Sequence, residues 1–289
     1  MADIILGQHP LLKKEFVDKR IKELIGHNFV ADTLFSQTTI DALSAKYYRD
    51  ADKDELGRQA YDAVPEVGEG SNFRRVGLSE EERSVMIKKY GLEAVITYEM
   101  QKYGMTGQIE RAYRKLALNI KKMVDDMAYK VATDKSAGIL NLGSAGWTGT
   151  TAAENMINEL IEAKTTSAKY GYKLDTVVVN PEVSAMLLKQ KDIRDAFREN
   201  NTDVALLRGY IGDFLGLSFI EDENFSDSNV LLVQKKIIGD IADAEGLRTK
   251  TYNEESNDRT IVRATRFTQA YLTDPKAVFL LENVKKENA

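Results

Sequence analysis

The stretch QIERAYRKLALNIKKMVDDMAYKV, residues 108–131, decides the fold. Ile109, Ala112, Tyr113, Leu116, Ala117, Ile120, Met123, Val124, Met127, Ala128 and Val131 recur at steps of three and one, the spacing that lines one face of an α-helix. Glu110, Arg111, Arg114, Lys115, Lys121, Lys122, Asp125, Asp126 and Lys130 fall largely on the other side, so one face is expected to be buried and one wet. At 1.5 Å per residue the helix spans roughly 35 Å, longer than most helices of compact domains. It needs an equally long partner. The strand-like run Arg259 to Leu272 is the one obvious candidate, and a different kind of sequence lies between them.

The 289 residues allow one large domain or two ordinary ones. Hydrophobic residues at 43% and charged residues at 29% suit a water-soluble globular chain, and no run approaches the ~18 apolar residues of a membrane span. The first fourteen residues carry no export signal. With no cysteine, disulfides, thiolate nucleophiles and cysteine metal sites are all excluded. The net charge is -5, and lysines and arginines alternate with acids almost everywhere, so direct recognition of nucleic acid is not expected.

Taken in order, residues 1–54 read as an arm, with an amphipathic helix within Leu11 to Ile25 ended by Gly26 and little core of its own. Residues 55–100 read as a long hairpin. Leu92, Ala94, Ile96, Tyr98 and Met100 alternate with Glu93, Val95, Thr97 and Glu99, and the tip is charged through Glu66, Glu69, Arg74, Arg75, Glu80 and Arg83. A charged hairpin cannot stabilise itself in water, so these six residues are candidate contacts to a neighbour.

Residues 101–136 hold the long helix. Ala137 to Thr151, with four glycines and the only tryptophan, Trp147, reads as a flexible connection into a compact α/β domain over 137–236. That domain has a helix over Ala152 to Ser167 and buried strands at Thr176 to Val179 and Val230 to Val233. Its second helix starts at Asn180-Pro181-Glu182, where Asn caps, Pro tolerates the first helical position and Glu suits the positive end. Residues 237–289 return as strands, with Ile261, Arg263, Thr265, Phe267, Gln269 and Tyr271 alternating with Thr260, Val262, Ala264, Arg266, Thr268 and Ala270 along a strand roughly 40 Å long. Asp274-Pro275 makes a turn before a last strand at Ala277 to Leu281.

Reactive chemistry is sparse. His9 and His27 both lie in the arm without convergent partners for a triad or zinc site. Glu221-Asp222-Glu223 points its acids in different directions and reads as a solvated turn. The glycines at 209, 212 and 216 match neither a phosphate loop nor a dinucleotide turn. No catalytic residue, cofactor site or metal site is expected.

The order of parts, an arm, a long hairpin, a spine helix, an inserted α/β domain and long returning strands, resembles the major capsid proteins of tailed bacteriophages, the Hong Kong 97 fold family. The residues carrying the resemblance are Val177-Val178-Val179-Asn180-Pro181, the glycine-spaced segment Leu206 to Ile220, Leu231-Leu232-Val233, the acidic turn Glu254-Glu255-Ser256-Asn257-Asp258 and Asp274-Pro275-Lys276-Ala277-Val278. The resemblance runs over residues 57–283. It implies an α+β fold with an N-terminal arm (1–54), an extended β-hairpin loop (55–100), a peripheral domain of spine helix and long strands (101–136 and 237–289), and an inserted α/β axial domain (137–236).

It further implies a non-enzymatic structural protein of the virion that assembles with itself, as pentamers and hexamers of an icosahedral head, around double-stranded DNA held without sequence-specific contacts. The shell would form in the host cytoplasm, without a membrane, together with a portal. Some relatives begin with a scaffolding segment that is later cut away. This chain leaves no room for one, so a separate scaffolding protein, or none, is expected, without proteolytic trimming. Some relatives form lysine to asparagine crosslinks, for which Lys88, Lys89, Asn253 and Asn257 are the candidates. An encapsulin-type nanocompartment enclosing a cargo enzyme is the alternative within the same fold, and a soluble enzyme with its site in 137–236 is the alternative outside it.

Overall fold

The computed structural model describes residues 13–25, 29–51, 66–73, 80–149, 151–190 and 213–286. In chain order the described helices are α1 (Lys14–Ile25), α2 (Val30–Leu34), α3 (Tyr98–Lys102), α4 (Thr106–Ala132), α5 (Ala152–Lys169) and α6 (Pro181–Lys189). The strands are β1 (Ser36–Thr39), β2 (Ser44–Asp50), β3 (Glu80–Met86), β4 (Lys88–Thr97), β5 (Leu140–Gly143), β6 (Thr176–Val179), β7 (Asp213–Phe214), β8 (Leu217–Glu221), β9 (Val230–Val233), β10 (Gly239–Glu254), β11 (Arg259–Leu272) and β12 (Val278–Glu282). Two compact units result. One draws on segments 1–45, 86–129 and 241–271, the other on 46–85, 130–240 and 272–289.

The first unit is built on α4 and a four-stranded sheet ordered β1-β10-β11-β4. β11 runs antiparallel to β4 from Arg259↔Thr97 to Thr268↔Lys88. The helix buries Ile109, Tyr113, Leu116, Ala117, Ile120, Val124, Met127 and Ala128, as its periodicity requires. The five long aliphatic side chains among these contribute roughly 10 kcal/mol of gross hydrophobic stabilisation, before the entropy of ordering is subtracted. The face of β11 carrying Thr260, Val262, Ala264, Arg266, Thr268 and Ala270 is buried. Helix and strand meet where Ala270 N donates to Met127 Sδ at 3.1 Å. Asp258, at φ 46°, turns β10 into β11 in the left-handed conformation that Asp tolerates.

The second unit centres on a six-stranded mixed sheet ordered β5-β12-β9-β6-β8-β7. Pairs β12/β5 and β6/β8 are parallel; β12/β9, β6/β9 and β7/β8 are antiparallel. Every residue of β6 and β9 is buried, which is why both read as unbroken apolar runs. Met156, Leu160 and Ala163 of α5 and Val183 and Leu187 of α6 pack in the same core cluster as Val177, Leu232 and Phe279. α6 starts as its local chemistry dictates, with Asn180 Oδ1 accepting from Glu182 N at 3.0 Å. Leu215 (φ 54°) and Gly216 (φ 69°) form the two-residue turn between β7 and β8, where both residues need positive φ.

The structure corrects several expectations. The strand expected to reach Met100 stops at Thr97, whose side chain caps α3 by accepting from Met100 N; a cap followed by Glu99 in the first turn outcompetes the alternation. β4 pairs with the long strand β11, while the two-stranded ribbon is β2 with β3, so the ribbon recruits Ser44–Asp50 from the segment read as arm. That arm is not coreless: Phe29, Val30, Ala31, Leu34 and Phe35 are buried. Asp125 lies on the buried side of α4, accepting from Ala31 N at 3.0 Å. Ala137–Thr151 is no flexible connection, since β5 pairs in the sheet and Trp147 is 1% exposed. The closing strand β12, grouped from sequence with the returning strands, sits between β5 and β9.

Candidate assembly surface

The ribbon β2–β3 is the part of the fold that cannot be explained by its own packing. Six of the seven residues of β3 are exposed, so both faces of that strand meet solvent. An isolated two-stranded ribbon is at best marginally stable in water. Its sequence explains why: Glu80-Glu81-Glu82-Arg83 puts charge on consecutive residues, hence on both faces. Two cross-strand ion pairs tie the ribbon together: Lys46 Nζ lies 2.7 Å from Glu82 and Arg49 Nη2 lies 3.3 Å from Glu81. Along β3 itself Arg83 Nη2 meets Glu81 at 2.6 Å.

These contacts leave electrostatic signatures. The hydrogen bond and charge of Arg83, then those of Arg49, hold the Glu81 carboxyl below the ordinary range. Glu82, through its hydrogen bond and charge, raises Lys46. Large apolar side chains on these strands or adjoining them are exposed as well: Leu43 at 62%, Tyr48 at 59% and Met86 at 72%. Isolated exposed apolar residues are ordinary, but such a density on a self-insufficient ribbon marks an interaction surface.

Of the contact residues expected from sequence, Glu80 and Arg83 lie on β3, Glu66 and Glu69 are exposed in the loop before it, and Arg74 and Arg75 lie outside the described residues. Tyr48, Leu43 and Met86 were missed, because β2 was read as polar arm. The signal for β2 was the aromatic pair Tyr47-Tyr48, flanked by the cations Lys46 and Arg49 that match an acidic strand.

The crosslink candidates lie apart within one chain. Lys88 and Lys89 sit at the register positions of Thr268 and Phe267, with Lys89 Nζ 5.4 Å from the Phe267 ring centre. Asn253 accepts from Thr260 Oγ1 at 3.0 Å, and Asn257 donates to Glu254 at 2.9 Å, both at the opposite end of β11. With about 3.4 Å per residue the two ends are roughly 30 Å apart, so any such bond would join different copies.

Two buried polar constellations hold the units in shape. Arg266, 4% exposed in its side chain, meets Asp243 at 2.8 Å and Asp32 at 3.1 Å, with Phe29 5.0 Å below its guanidinium. Burial opposes its charge, but the bonds and charges of the two aspartates outweigh that and raise its pKa. Glu159 of α5 accepts from Ser144 Oγ (2.8 Å), Ala145 N (2.6 Å) and Trp147 Nε1 (2.7 Å). Of the acidic cluster, Glu221 and Glu223 are exposed while Asp222 is buried and accepts from Asn224 N at 3.1 Å. Among the described residues no three metal-ligating side chains gather, and no helix is long and apolar enough to cross a membrane.

A family model described as phage capsid protein matches residues 80–281, well over half of the chain. The chain belongs to the phage capsid protein family. No curated protein matches it. Among solved structures, a virus-like particle from Pyrococcus furiosus is 14% identical with a TM-score of 0.64, covering 93% of this chain and 98% of that one. A phage-related protein from Bordetella bronchiseptica RB50 is 12% identical with a TM-score of 0.64, over 95% and 98%. The capsid of cyanophage P-SCSP1u is 12% identical with a TM-score of 0.61, over 88% of each. At such identities the likeness carries the fold. That fold is the α+β, Hong Kong 97-like one. This phage capsid protein is accordingly a structural component of the virion that self-assembles into an oligomeric shell.

Proposed function

We propose that this capsid protein forms the icosahedral head of a tailed bacteriophage, as pentamers and hexamers closed around double-stranded viral DNA, and that it does so by covering its β2–β3 ribbon with a neighbouring copy. The ribbon carries this reading: a charged strand with six of its seven residues exposed, Met86 among them, next to exposed Leu43 and Tyr48, is stabilised when another copy buries it. Cross-copy charge then sets register more than affinity. The protein acts mechanically and carries out no reaction, assembles in the host cytoplasm, and works with a portal and a separate scaffolding protein.

The test is electron microscopy with sedimentation of the full chain, alone and with its genomic neighbours. Closed shells, tubes or capsomer rings are expected, and their contents should be nuclease-protected DNA when the packaging partners are present. Met86→Glu or Tyr48→Glu should leave a folded chain that no longer assembles. A monomer under every condition would refute the reading.

The similarity to the Pyrococcus furiosus virus-like particle supports a second reading, a nanocompartment that encloses a protein cargo. Shells from native expression that hold one dominant protein and no protected DNA would favour it.

A further inference from the structure

Basic and acidic residues alternate almost everywhere in the chain, and α4 holds an exception. From Arg111 to Val124 the sequence carries Arg111, Arg114, Lys115, Lys121 and Lys122 and no carboxylate. Arg111, Arg114, Lys115 and Lys122 are exposed and recur at steps of three, one and seven, which places them on one face. Their row is about 17 Å long at 1.5 Å per residue. Among the described residues none of the five cations is in an ion pair, whereas Glu110 before them is already held by Arg20 at 3.0 Å. In the middle of the row stands Leu118, 58% exposed.

Beside the row runs a groove between α4 and β4, of about 220 Å³, lined by the apolar side chains of Leu92, Ala94, Val95, Ala112 and Leu116 together with Lys115 and Asn119. The one acid on it, Glu93, is held by Arg263 Nε at 2.6 Å. The volume is below the roughly 300–1,000 Å³ that encloses a whole small molecule, and suits one or two side chains.

From this pairing of an uncompensated basic row with an apolar groove, we propose that the exposed face of α4 is the docking site for an acidic amphipathic helix of a partner protein. Its carboxylates meet Arg111, Arg114, Lys115 and Lys122, and its apolar side chains cover Leu118 and enter the groove. Charge complementarity selects the partner: a strongly cationic face on a chain of net charge -5 favours a polyanion and repels a basic segment. Two other polyanions fit less well. A DNA backbone offers nothing apolar to cover Leu118 or fill the groove. A second copy's ribbon has its Glu81 and Glu82 already neutralised by Arg83, Arg49 and Lys46. The proposal adds a partner to the shell reading and stands on the α4 surface alone, so the two fail separately.

The probe is a synthetic helix of about five turns (~18 residues) with leucines at i, i+3, i+4 and i+7 and glutamates on the remaining face, titrated against the full chain by fluorescence anisotropy. Binding should weaken with added salt and fall about tenfold or more in the Arg114→Glu, Lys115→Glu double variant. It should also fall severalfold in Ala94→Trp, which fills the groove, and with a probe whose leucines are alanines. Unchanged far-ultraviolet circular dichroism and thermal unfolding check that these substitutions leave the fold intact. Absence of binding overturns the proposal, as does a duplex DNA of similar length binding as tightly as the peptide. Loss of shell formation by the double variant without any peptide also overturns it, by assigning the face to a second copy. Shells that form normally while the peptide fails to bind leave the capsid reading standing and remove this one.

Discussion

Replacing Glu159 by alanine removes the acceptor that ties the Ser144–Trp147 loop to α5. Three donors reach that carboxylate, from Ser144 Oγ, Ala145 N and Trp147 Nε1, at 2.6–2.8 Å for their closest contacts. The hydroxyl can turn elsewhere, but the backbone N–H and the indole N–H are fixed by Trp147, which is 1% exposed. Hydrogen bonds to a charged group are worth about 1.5–3 kcal/mol each, so two stranded donors cost roughly 3–6 kcal/mol in Glu159→Ala. Glu159→Gln keeps one acceptor oxygen and should cost about half as much. Trp147 is the only tryptophan, so its emission reports on this unit directly. With a urea dependence near 2 kcal/mol per molar, the alanine variant should unfold at least ~1.5 M earlier than the parent chain. Its native emission should also shift to the red as the indole loses its anchor. An alanine variant that unfolds at the parent's midpoint with the parent's emission would show that the loop is held by packing, and would refute the assignment.

Gly91 is the closest approach in the first unit: a Cβ there would stand 2.7 Å from Thr265 Cγ2 and 3.1 Å from Ala264 O. Gly91→Ala should therefore lower stability by about 1–3 kcal/mol, and adding Thr265→Ser, which removes the offending methyl, should recover part of the loss in thermal unfolding. Asp243→Asn should destabilise more than Asp32→Asn, because Asp243 makes two bonds to buried Arg266 and Asp32 one. Breaking a buried pair costs about 3–5 kcal/mol, and equal effects of the two variants would refute the ranking. The ribbon should be pH-sensitive at both ends of the scale. Glu81 is lowered from 4.5, so its contribution is present above that value and is lost as pH falls through the lower folded value. Lys46 is raised from 10.5, so its contribution is present below 10.5 and is lost as pH rises through the higher folded value. The protection of β2 and β3 amides against hydrogen exchange, taken relative to the intrinsic rate at each pH, should fall in acid and, being carried by exposed pairs, also in high salt; protection indifferent to both would show that the ion pairs do not hold the ribbon.

What could be read from the sequence were the elements with strong local periods or caps. α4 follows from its apolar spacing, β11 from strict alternation between Arg259 and Leu272, α6 from Asn180-Pro181-Glu182, and β6 and β9 from β-branched and apolar runs. The family resemblance likewise rested on the order of such elements. The assembly surface was only half legible: the charge of Glu80 to Arg83 pointed to β3, but its partner Ser44–Asp50 looked like tether, because the covered face of that strand carries Ala45, Tyr47 and Arg49, which make no apolar period to detect.

The sequence by itself determined the secondary structure of the long elements, the absence of thiol chemistry and the capsid family, because these depend on local spacing, composition and the order of elements. Tertiary structure alone decided which polar residues are interior. Arg266, Glu159 and Asp125 carry ordinary surface letters, and only the arrival of Asp243 and Asp32, of Ser144 and Trp147, and of Ala31 N from far along the chain makes their burial affordable. It also decided that Arg111, Arg114, Lys115 and Lys122 stand together beside an apolar groove, with no ion-pair partner among the described residues, since whether a charge is compensated depends on neighbours in space, which spacing along the chain does not specify.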